Sequence, residues 1–288
     1  MLTQLFRSAG FAALIILSTQ AQVHAQPQVH DVDCAAGPNF DIQQGVNAAA
    51  DGEVVVVHPC VGGNYTAFSV IGRNNLQIVG ADLGGGFISA FQIGANASPP
   101  NASVPLLDDP TSTCARISNS TNISIVGLHI ETCGGRGFDI VNSDHISLHG
   151  NRTSFTNSEA VAVRNSTSVD IVGNRFRGAQ LYAIATDPNS RFVKIEANRI
   201  SNNLAGILMQ GSAIDVTNNE VRTNGTTGIA VLSTQSKVSR NWATGNAGPQ
   251  INFQNWSPGF ENCVVGNWLG GLGLFPAMSA SGCQAENF

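Results

Sequence analysis

The sequence predicts an all-β solenoid, a single coil of parallel strands, and three observations support this prediction. First, a motif of one aliphatic residue, two variable residues and asparagine occurs six times. Second, these asparagines recur at intervals of about 21 to 26 residues, a period typical of solenoid repeats. Third, each unit contains short runs of alternating apolar and polar residues, separated by Gly, Asn and Ser, which predict strands rather than helices. The repeat asparagines are Asn151, Asn174, Asn198, Asn219, Asn241 and Asn267.

One unit illustrates the pattern. Residues 193–200 alternate around the motif asparagine, and residues 206–209 form a second run after a polar turn. Such units resemble the repeat of the pectate lyase-like superfamily, over residues 75–253. The resemblance implies a single-domain right-handed parallel β-helix with about 22 to 24 residues in each turn, which we call a rung. That family includes lyases, epimerases and hydrolases of carbohydrates and some non-enzymatic proteins, so the fold does not select an activity.

The domain organisation is predicted from composition. Residues 1–25 contain Arg7, an apolar stretch and a small-residue cleavage pattern, so we expect a signal peptide and a secreted or periplasmic protein. Residues 47–57 are expected to form a short helix followed by the first strand. The remaining chain, 26–288, is predicted to be one β-helix domain, with an N-terminal cap and first strand at 34–75, rungs at 76–269, an insertion at 94–115 and a C-terminal cap at 270–288.

Six cysteines fit an oxidising compartment. They allow fifteen connectivities, and proximity in sequence favours three local pairs. The chain has no Cys-x-x-Cys spacing, so disulfides are preferred to a zinc site. The favoured pairs are Cys34 with Cys60, Cys114 with Cys133, and Cys263 with Cys283.

The repeat asparagines are predicted to be structural. Placed at equivalent turns about 4.8 Å apart, their side-chain amides can donate and accept hydrogen bonds along a ladder.

The position after each asparagine is predicted to form an outward row along the coil. Three consecutive arginines in this row repel one another unless carboxylates or a bound anion lie beside them. An acidic polysaccharide lying along the coil would meet the row repeatedly, whereas Asp170, Glu196 and Asp215 on the preceding strands offer an alternative, internal neutralisation. The row consists of His129, which follows Leu128 in the asparagine's place, and of Arg152, Arg175, Arg199, Glu220, Trp242 and Trp268.

A second outward row follows if Phe138, Val161, Ile184, Ile207, Ile229 and Ile251 are buried at one position of the next strand. This row contains Asp139, Arg164, Asp187 and Gln210. An arginine can neutralise a uronate carboxylate while a base removes the neighbouring proton, and Tyr182 could act as proton donor or base. The predicted catalytic residues are therefore Asp139, Arg164, Tyr182 and Asp187. The predicted substrate-binding residues are His129, Arg152, Arg175, Arg199, Gln210 and Trp242.

Two considerations bear on this catalytic hypothesis. Asp139 and Asp187 are expected two rungs, at least about 9.6 Å, apart, too far to share the calcium ion that is the one candidate cofactor. No residue is assigned as a metal ligand, and an ordinary surface ion-pair ladder is the alternative. The stretch from Tyr182 to Asn189 resembles the mannuronan epimerase motif, in which a histidine follows Asp-Pro; here Asn189 replaces it, and an amide cannot act as a base.

These observations predict an exported carbohydrate-active β-helix protein, a lyase or epimerase of uronate-type polysaccharide; a non-catalytic polysaccharide-binding or structural protein is the alternative. The formal net charge of −5 argues against nucleic acid as a partner. No apolar run is long enough for a transmembrane segment, and a monomer is expected. Whether the protein is an enzyme stays open at this point.

Overall fold

The computed structural model describes residues 27–34, 41–60, 64–81, 106–109, 113–253 and 262–270. Its strands form three parallel sheets, which we call A, B and C, and the chain visits them in that order in each rung. Every strand pairs in parallel with the equivalent strand of the neighbouring rungs. The predicted β-solenoid is therefore confirmed.

The bounds of the strands follow the rungs. Sheet A comprises Val29–Val32 (β1), Val54–Val57 (β2), Gln77–Gly80 (β4), Thr121–Val126 (β7), Asp144–His149 (β10), Thr167–Val172 (β13), Arg191–Glu196 (β16), Asp215–Thr217 (β19), Lys237–Ser239 (β22) and Cys263–Val265 (β25). Sheet B comprises Leu106–Asp109 (β5), His129–Cys133 (β8), Arg152–Ser154 (β11), Arg175–Arg177 (β14), Arg199–Ser201 (β17), Glu220–Arg222 (β20), Trp242–Thr244 (β23) and Trp268–Gly270 (β26). Sheet C comprises Phe68–Ile71 (β3), Ala115–Ser118 (β6), Phe138–Val141 (β9), Val161–Arg164 (β12), Tyr182–Thr186 (β15), Ala205–Met209 (β18), Ile229–Val231 (β21) and Ile251–Phe253 (β24).

The N-terminal end of the coil differs from the prediction in two ways. Helix α1 spans Ile42–Ala48, earlier than expected. The strand β2 is preceded by β1, which pairs with it in parallel, so the coil begins before residue 76. The helix covers the end of the core, and a Cβ on Gly45 would collide with the side chains of Val32 and Val55. This close approach explains a glycine within a helix.

The core consists of aligned apolar residues, one from each rung. The row predicted to be buried on sheet C is confirmed, because its six members pair in register and are at most 2% exposed. Side chains alternate between the two faces of a strand, so the neighbouring positions point out of the coil.

The asparagine ladder is confirmed at the turn between sheets A and B. The N–H of Asn151 donates to Oδ1 of Asn174 at 2.7 Å, and that of Asn174 donates to Oδ1 of Asn198 at 2.9 Å. The amide nitrogens donate inward to strand carbonyls, as Asn151 does to Ile125 at 2.9 Å. These buried side chains satisfy the polar groups of the turn.

The other two edges of the coil carry polar ladders that the sequence analysis did not predict. Between sheets B and C, the N–H of Asn203 donates to Asn224, whose N–H donates to Asn246. Between sheets C and A, the N–H of Ser120 donates to the hydroxyl of Ser143 at 3.2 Å, and further serines continue the pattern. The signal for the second asparagine ladder was present, since each member follows a repeat asparagine by five positions.

The predicted disulfides Cys34–Cys60 and Cys114–Cys133 are confirmed. The third predicted pair includes Cys283, which lies outside the described residues, as do the expected signal peptide and residues 271–288 of the C-terminal cap.

The structure describes one strand within the predicted insertion 94–115. Strand β5 lies within it and pairs in parallel with β8, so these residues belong to a rung of sheet B. Strand β5 contains two consecutive aspartates, Asp108 and Asp109, so its sequence lacks the alternating apolar pattern by which the other strands were predicted. Within the described ranges, no helix is long and apolar enough to cross a membrane.

Candidate functional site

The outward row predicted after the asparagines exists and runs along sheet B. In the parallel pairing of the strands, each member of the row lies opposite the next member on the neighbouring rung. The order is His129, Arg152, Arg175, Arg199, Glu220, Trp242 and Trp268. Strand alternation places the members on one outward surface, at intervals of about 4.8 Å.

Two further arginines lie on the same surface. Residues two positions further along each strand form a parallel row, and this row includes Arg177 and Arg222. We call the combined set Arg152, Arg175, Arg177, Arg199 and Arg222 the arginine face. Together with Glu220 and Ser201, its members line an open pocket with an empty volume of about 510 Å³ that includes open solvent. Arg177 and Arg222 were not predicted, because they occupy a second outward position of these strands, two residues after the predicted row.

The arginine face has two differently charged halves. In one half, Glu220 accepts from Nε of Arg199 at 3.0 Å and from Nε of Arg222 at 2.8 Å. In the other half, Arg152, Arg175 and Arg177 form no salt bridge with any residue that the structure describes. Positive charge is therefore partly compensated at one end of the face, where one carboxylate serves two arginines, and has no salt bridge at the other.

In the uncompensated half, local contacts hold Arg177 in place without neutralising it. Nε of Arg177 donates to the hydroxyl of Ser154 at 3.1 Å, and its guanidinium lies 5.6 Å from the centre of the Phe155 ring. Burial, followed by the charges of Arg177 and Arg175, lowers the pKa of Arg152, and the Glu131 carboxylate acts in the opposite direction. Its Nε is buried and has no hydrogen-bond partner in the described part of the chain.

His129 stands at the end of the same row. Burial, followed by the charges of Arg152 and Arg177, lowers the pKa of His129 to about 4. The imidazole is therefore neutral near pH 7, and its buried Nε2 has no partner among the described groups. A neutral imidazole avoids adding a fourth positive charge to the uncompensated half.

Asp170, Glu196 and Asp215, the three carboxylates considered as possible neutralisers of the arginine row, lie beside a lysine instead. Glu196 accepts from Nζ of Lys194 at 2.5 Å, and Asp170 and Asp215 are the register neighbours of Lys194 on either side. All four residues lie on sheet A, across the asparagine turn from the arginine face. The alternative of neutralisation by these three carboxylates is therefore wrong in this structure.

Two exposed tryptophans continue the row beyond Glu220. Trp242 is 52% exposed and Trp268 is 61% exposed, and they occupy neighbouring rungs. Gln210, which was predicted to bind the same substrate, follows β18 of sheet C instead, where its N–H donates to the Thr186 hydroxyl at 2.8 Å. The structure therefore joins Trp242 to the arginine face and separates Gln210 from it.

On sheet C, the structure brings Asp139 and Arg164 together. Oδ1 of Asp139 accepts from Nε and Nη2 of Arg164 at 3.0 and 2.6 Å, and Oδ2 accepts from Nη2 at 2.6 Å. Asp139 is only 3% exposed although its side chain was expected on the outer surface. Both carboxylate oxygens are occupied by the guanidinium, which covers them.

Of the other two predicted catalytic residues, Asp187 lies on the rung next to Arg164 but binds other groups, and Tyr182 lies at the far end of its strand. Asp187 accepts from the N–H of Asn165 at 3.0 Å, from the N–H of Asn189 at 3.2 Å and from the Ser190 hydroxyl at 2.6 Å, so it stabilises a turn. Tyr182 begins the strand that ends before Asp187, which places the two backbones about 16 Å apart along an extended chain. The four residues do not form one cluster.

The sheet C carboxylates do not fit a calcium site. Asp139 is committed to Arg164 and Asp187 to donors of its turn, whereas Ca²⁺ requires six to eight oxygen ligands. No group of three or more His, Cys, Asp or Glu side chains suited to a metal ion occurs among the described residues. We assign no chemical step to calcium.

Solved structures share the fold. Pectate lyase Pel9A has a TM-score of 0.64 at 10% identity, covering 92% of this chain and 80% of that one. The A-module of the Azotobacter vinelandii mannuronan C-5 epimerase AlgE6 has a TM-score of 0.51 at 13% identity, covering 90% of this chain and 89% of that one.

The periplasmic alginate epimerase AlgG has a TM-score of 0.48 at 13% identity; the alignment covers 75% of this chain but only 62% of the epimerase. The sequence has no significant match among curated proteins. The family model described as "Right handed beta helix region" matches residues 113–269, more than half of the chain. The chain therefore belongs to the right-handed β-helix family.

Proposed function

We propose that this protein is an exported carbohydrate-active β-helix protein that binds an acidic polysaccharide along the arginine face. The observation that carries the proposal is the set of three arginines, Arg152, Arg175 and Arg177, on two neighbouring rungs without a salt bridge in the described part of the chain. All three point outward on sheet B, beside an open pocket.

The first argument is electrostatic. Two like charges about 4 Å apart repel by about 1 kcal/mol even in bulk water, and by more where burial reduces solvent screening. Burial and two neighbouring arginines lower the pKa of Arg152, as expected for such repulsion. A bound anion would attract all three arginines and offset their mutual repulsion. The arrangement is therefore more favourable with an anion bound than without one.

The second argument is chemical. A guanidinium presents its N–H groups as a planar fork that matches a carboxylate or sulfate. Arg152, Arg175 and Arg199 repeat along the coil axis at rung spacing, which suits a polymer carrying anionic groups at intervals. The empty space of about 510 Å³ at the face is open, so a long chain can lie across it.

Calorimetric titration with alginate and polygalacturonate oligosaccharides tests this proposal. Because charge-assisted hydrogen bonds contribute about 1.5–3 kcal/mol each, replacing both Arg175 and Arg177 with alanine should weaken binding at least about tenfold. Arg191→Ala is the matched control, since it removes an exposed arginine from sheet A. Equal affinities of the double variant and the wild type would reject the arginine face as the binding site.

A lyase or epimerase acting on uronate sugars is the second candidate function. The supporting observation is that buried Asp139 holds Arg164 through Nε and Nη2, which leaves Nη1 without a hydrogen bond within the described chain. A rigidly held guanidinium could neutralise a uronate carboxylate and acidify the neighbouring C–H. In this proposal Tyr182 and Asp187 would have to approach the substrate from separate ends of β15.

Enzyme assays separate the two candidates. A lyase would generate an unsaturated sugar that absorbs in the ultraviolet, and an epimerase would change the sugar composition measured by NMR. Arg164→Ala and Asp187→Asn should abolish any such activity. Retained activity in both variants would exclude the sheet C residues, and no product from alginate, pectate or glycosaminoglycans would exclude both reactions on these polymers.

A further inference from the structure

The row on sheet B changes its chemistry from one end to the other. After His129 it contains Arg152 and Arg175, which form no salt bridge in the described chain; it then passes through Arg199 and Glu220 and ends with Trp242 and Trp268. Glu220 bridges Arg199 and Arg222, and its side chain is 21% exposed between guanidiniums that are more than half exposed. The protein's own carboxylate therefore occupies the arginines at the centre of the row.

Beyond Glu220 the described surface offers an aromatic platform instead of charge. Two indole side chains, each more than half exposed, stand on neighbouring rungs and point out of the coil. Large aromatic residues are normally buried, and burying an exposed one on binding removes a large apolar area from water. The apolar face of a sugar ring is a suitable partner for such a surface.

From this juxtaposition we infer that sheet B carries a two-part site. Arg152, Arg175 and Arg177 bind an anionic sugar, Trp242 and Trp268 stack against an uncharged sugar of the same chain, and Glu220 excludes an anionic sugar between them. The ligand class is a heteropolysaccharide in which acidic and uncharged sugars occur within a few residues of each other. This inference rests on the proposed binding function and adds the pattern of charge along the ligand.

The exclusion by Glu220 follows from charge. A ligand carboxylate at the rung of Glu220 would face the Glu220 carboxylate and would compete with it for the same two guanidiniums. Juxtaposed like charges are a common source of specificity in recognition. An uncharged sugar at this rung meets no such repulsion.

Hexagalacturonate with different degrees of methyl esterification is a suitable probe, because esterification removes charge and preserves the polymer. Calorimetry would compare the de-esterified hexamer, a half-esterified hexamer and a fully esterified one at equal ionic strength. The wild type should bind the half-esterified hexamer about three- to tenfold more tightly than the de-esterified one, and the fully esterified hexamer most weakly.

Two variants test the roles of the separate parts. Glu220→Gln keeps the side-chain shape and frees Arg199 and Arg222, so it should reverse the order and favour the de-esterified hexamer by a similar factor. Replacing both Trp242 and Trp268 with alanine should weaken the half-esterified hexamer about tenfold, the loss expected for aromatic contacts in a binding site. The same double variant should leave a de-esterified dimer, which reaches only the arginines, unchanged.

The outcomes separate this inference from the function on which it rests. If every hexamer binds in proportion to its charge, and Glu220→Gln does not change the order, the two-part site is wrong while arginine-dependent binding stands. If Arg175 and Arg177 contribute to none of the affinities, the proposed function itself fails. Far-ultraviolet circular dichroism and unfolding midpoints would verify that each variant keeps the β-helix, and a misfolded double variant would be replaced by single Trp242→Ala and Trp268→Ala variants.

Discussion

Two surfaces of the coil place arginines on outward strand positions, and their surroundings differ. On sheet C, Arg164 lies over Asp139 and donates three hydrogen bonds to a carboxylate that is 3% exposed. On sheet B, Arg152, Arg175 and Arg177 form no salt bridge within the described chain, and the nearby Glu131 acts on Arg152 only through its charge. An arginine that is paired with a carboxylate of the same protein stabilises the fold. A cluster of arginines without salt bridges destabilises the fold through mutual repulsion and is available to bind a ligand. The predictions below test this contrast.

The largest effect is expected at Asp139. Replacing it with alanine removes the partner of Arg164 and three charge-assisted hydrogen bonds, so the free energy of unfolding should fall by about 2–3 kcal/mol. The value is below that of a fully buried pair because Arg164 is 39% exposed. Urea denaturation measures it, with Asp170→Ala on sheet A as an exposed control. A loss below about 0.5 kcal/mol would show that the pair is not a stabilising contact.

An intermediate effect is expected from His129. The pKa of His129 in the folded protein, about 4, lies below its ordinary value of about 6.5. As the pH falls below about 6.5, His129 therefore binds a proton in the unfolded chain before it does so in the folded protein. The contribution of His129 to stability is full above pH 6.5 and is lost progressively down to about pH 4, by about 1–2 kcal/mol after allowance for partial exposure.

His129→Gln removes this titration and serves as its own reference. The difference in unfolding free energy between wild type and variant should therefore decrease between pH 6.5 and 4. The charged neighbours Arg152, Arg177 and Glu131 are present in both proteins, so their contributions to the difference largely cancel. A difference that is constant with pH would mean that His129 is not desolvated beside the arginines.

The smallest effect is expected for the uncompensated arginines without a ligand. Arg175→Ala should raise the free energy of unfolding by about 0.2–1 kcal/mol at low ionic strength, because it relieves repulsion from Arg152 and Arg177. The gain should disappear in 1 M salt, where the Debye length is about 3 Å. Arg164→Ala is the opposite case and should destabilise under both conditions. Destabilisation by Arg175→Ala would reverse the contrast between the two surfaces.

Much of the fold could be predicted because the same sequence pattern recurs in every rung and forms the same turn and strands each time. The recurrence of asparagine identified the rung period, and the alternation within each unit identified the buried rows. Single features were less predictable: β1 precedes the first recognisable repeat, and β5 carries Asp108 and Asp109 within a Pro-rich stretch. Neither strand repeats a pattern, so only pairing with a neighbouring rung reveals it.

The arrangement of residues on sheet B was predicted in outline, and its role as a site stays a prediction. The row from His129 to Trp242 follows from the repeat alone, because equivalent positions in a parallel coil lie side by side. Arg177 and Arg222 were missed although they occupy an equally regular row. Asp139 was placed correctly on its strand, but its burial was not predicted. The burial depends on the conformation of the Arg164 side chain, and a sequence repeat does not determine side-chain conformation.

The sequence by itself determined the period of the coil, the asparagine ladder, the buried rows and the columns of outward residues, because all of these depend on recurrence and strand alternation. The tertiary structure alone decided which charges find partners. It joined Asp139 to Arg164, Glu220 to Arg199 and Arg222, and Glu196 to Lys194, and so separated the arginines of sheet B into compensated and uncompensated halves. The physical reason is that an ion pair depends on side-chain reach across rungs and on burial, whereas the register places only the backbone.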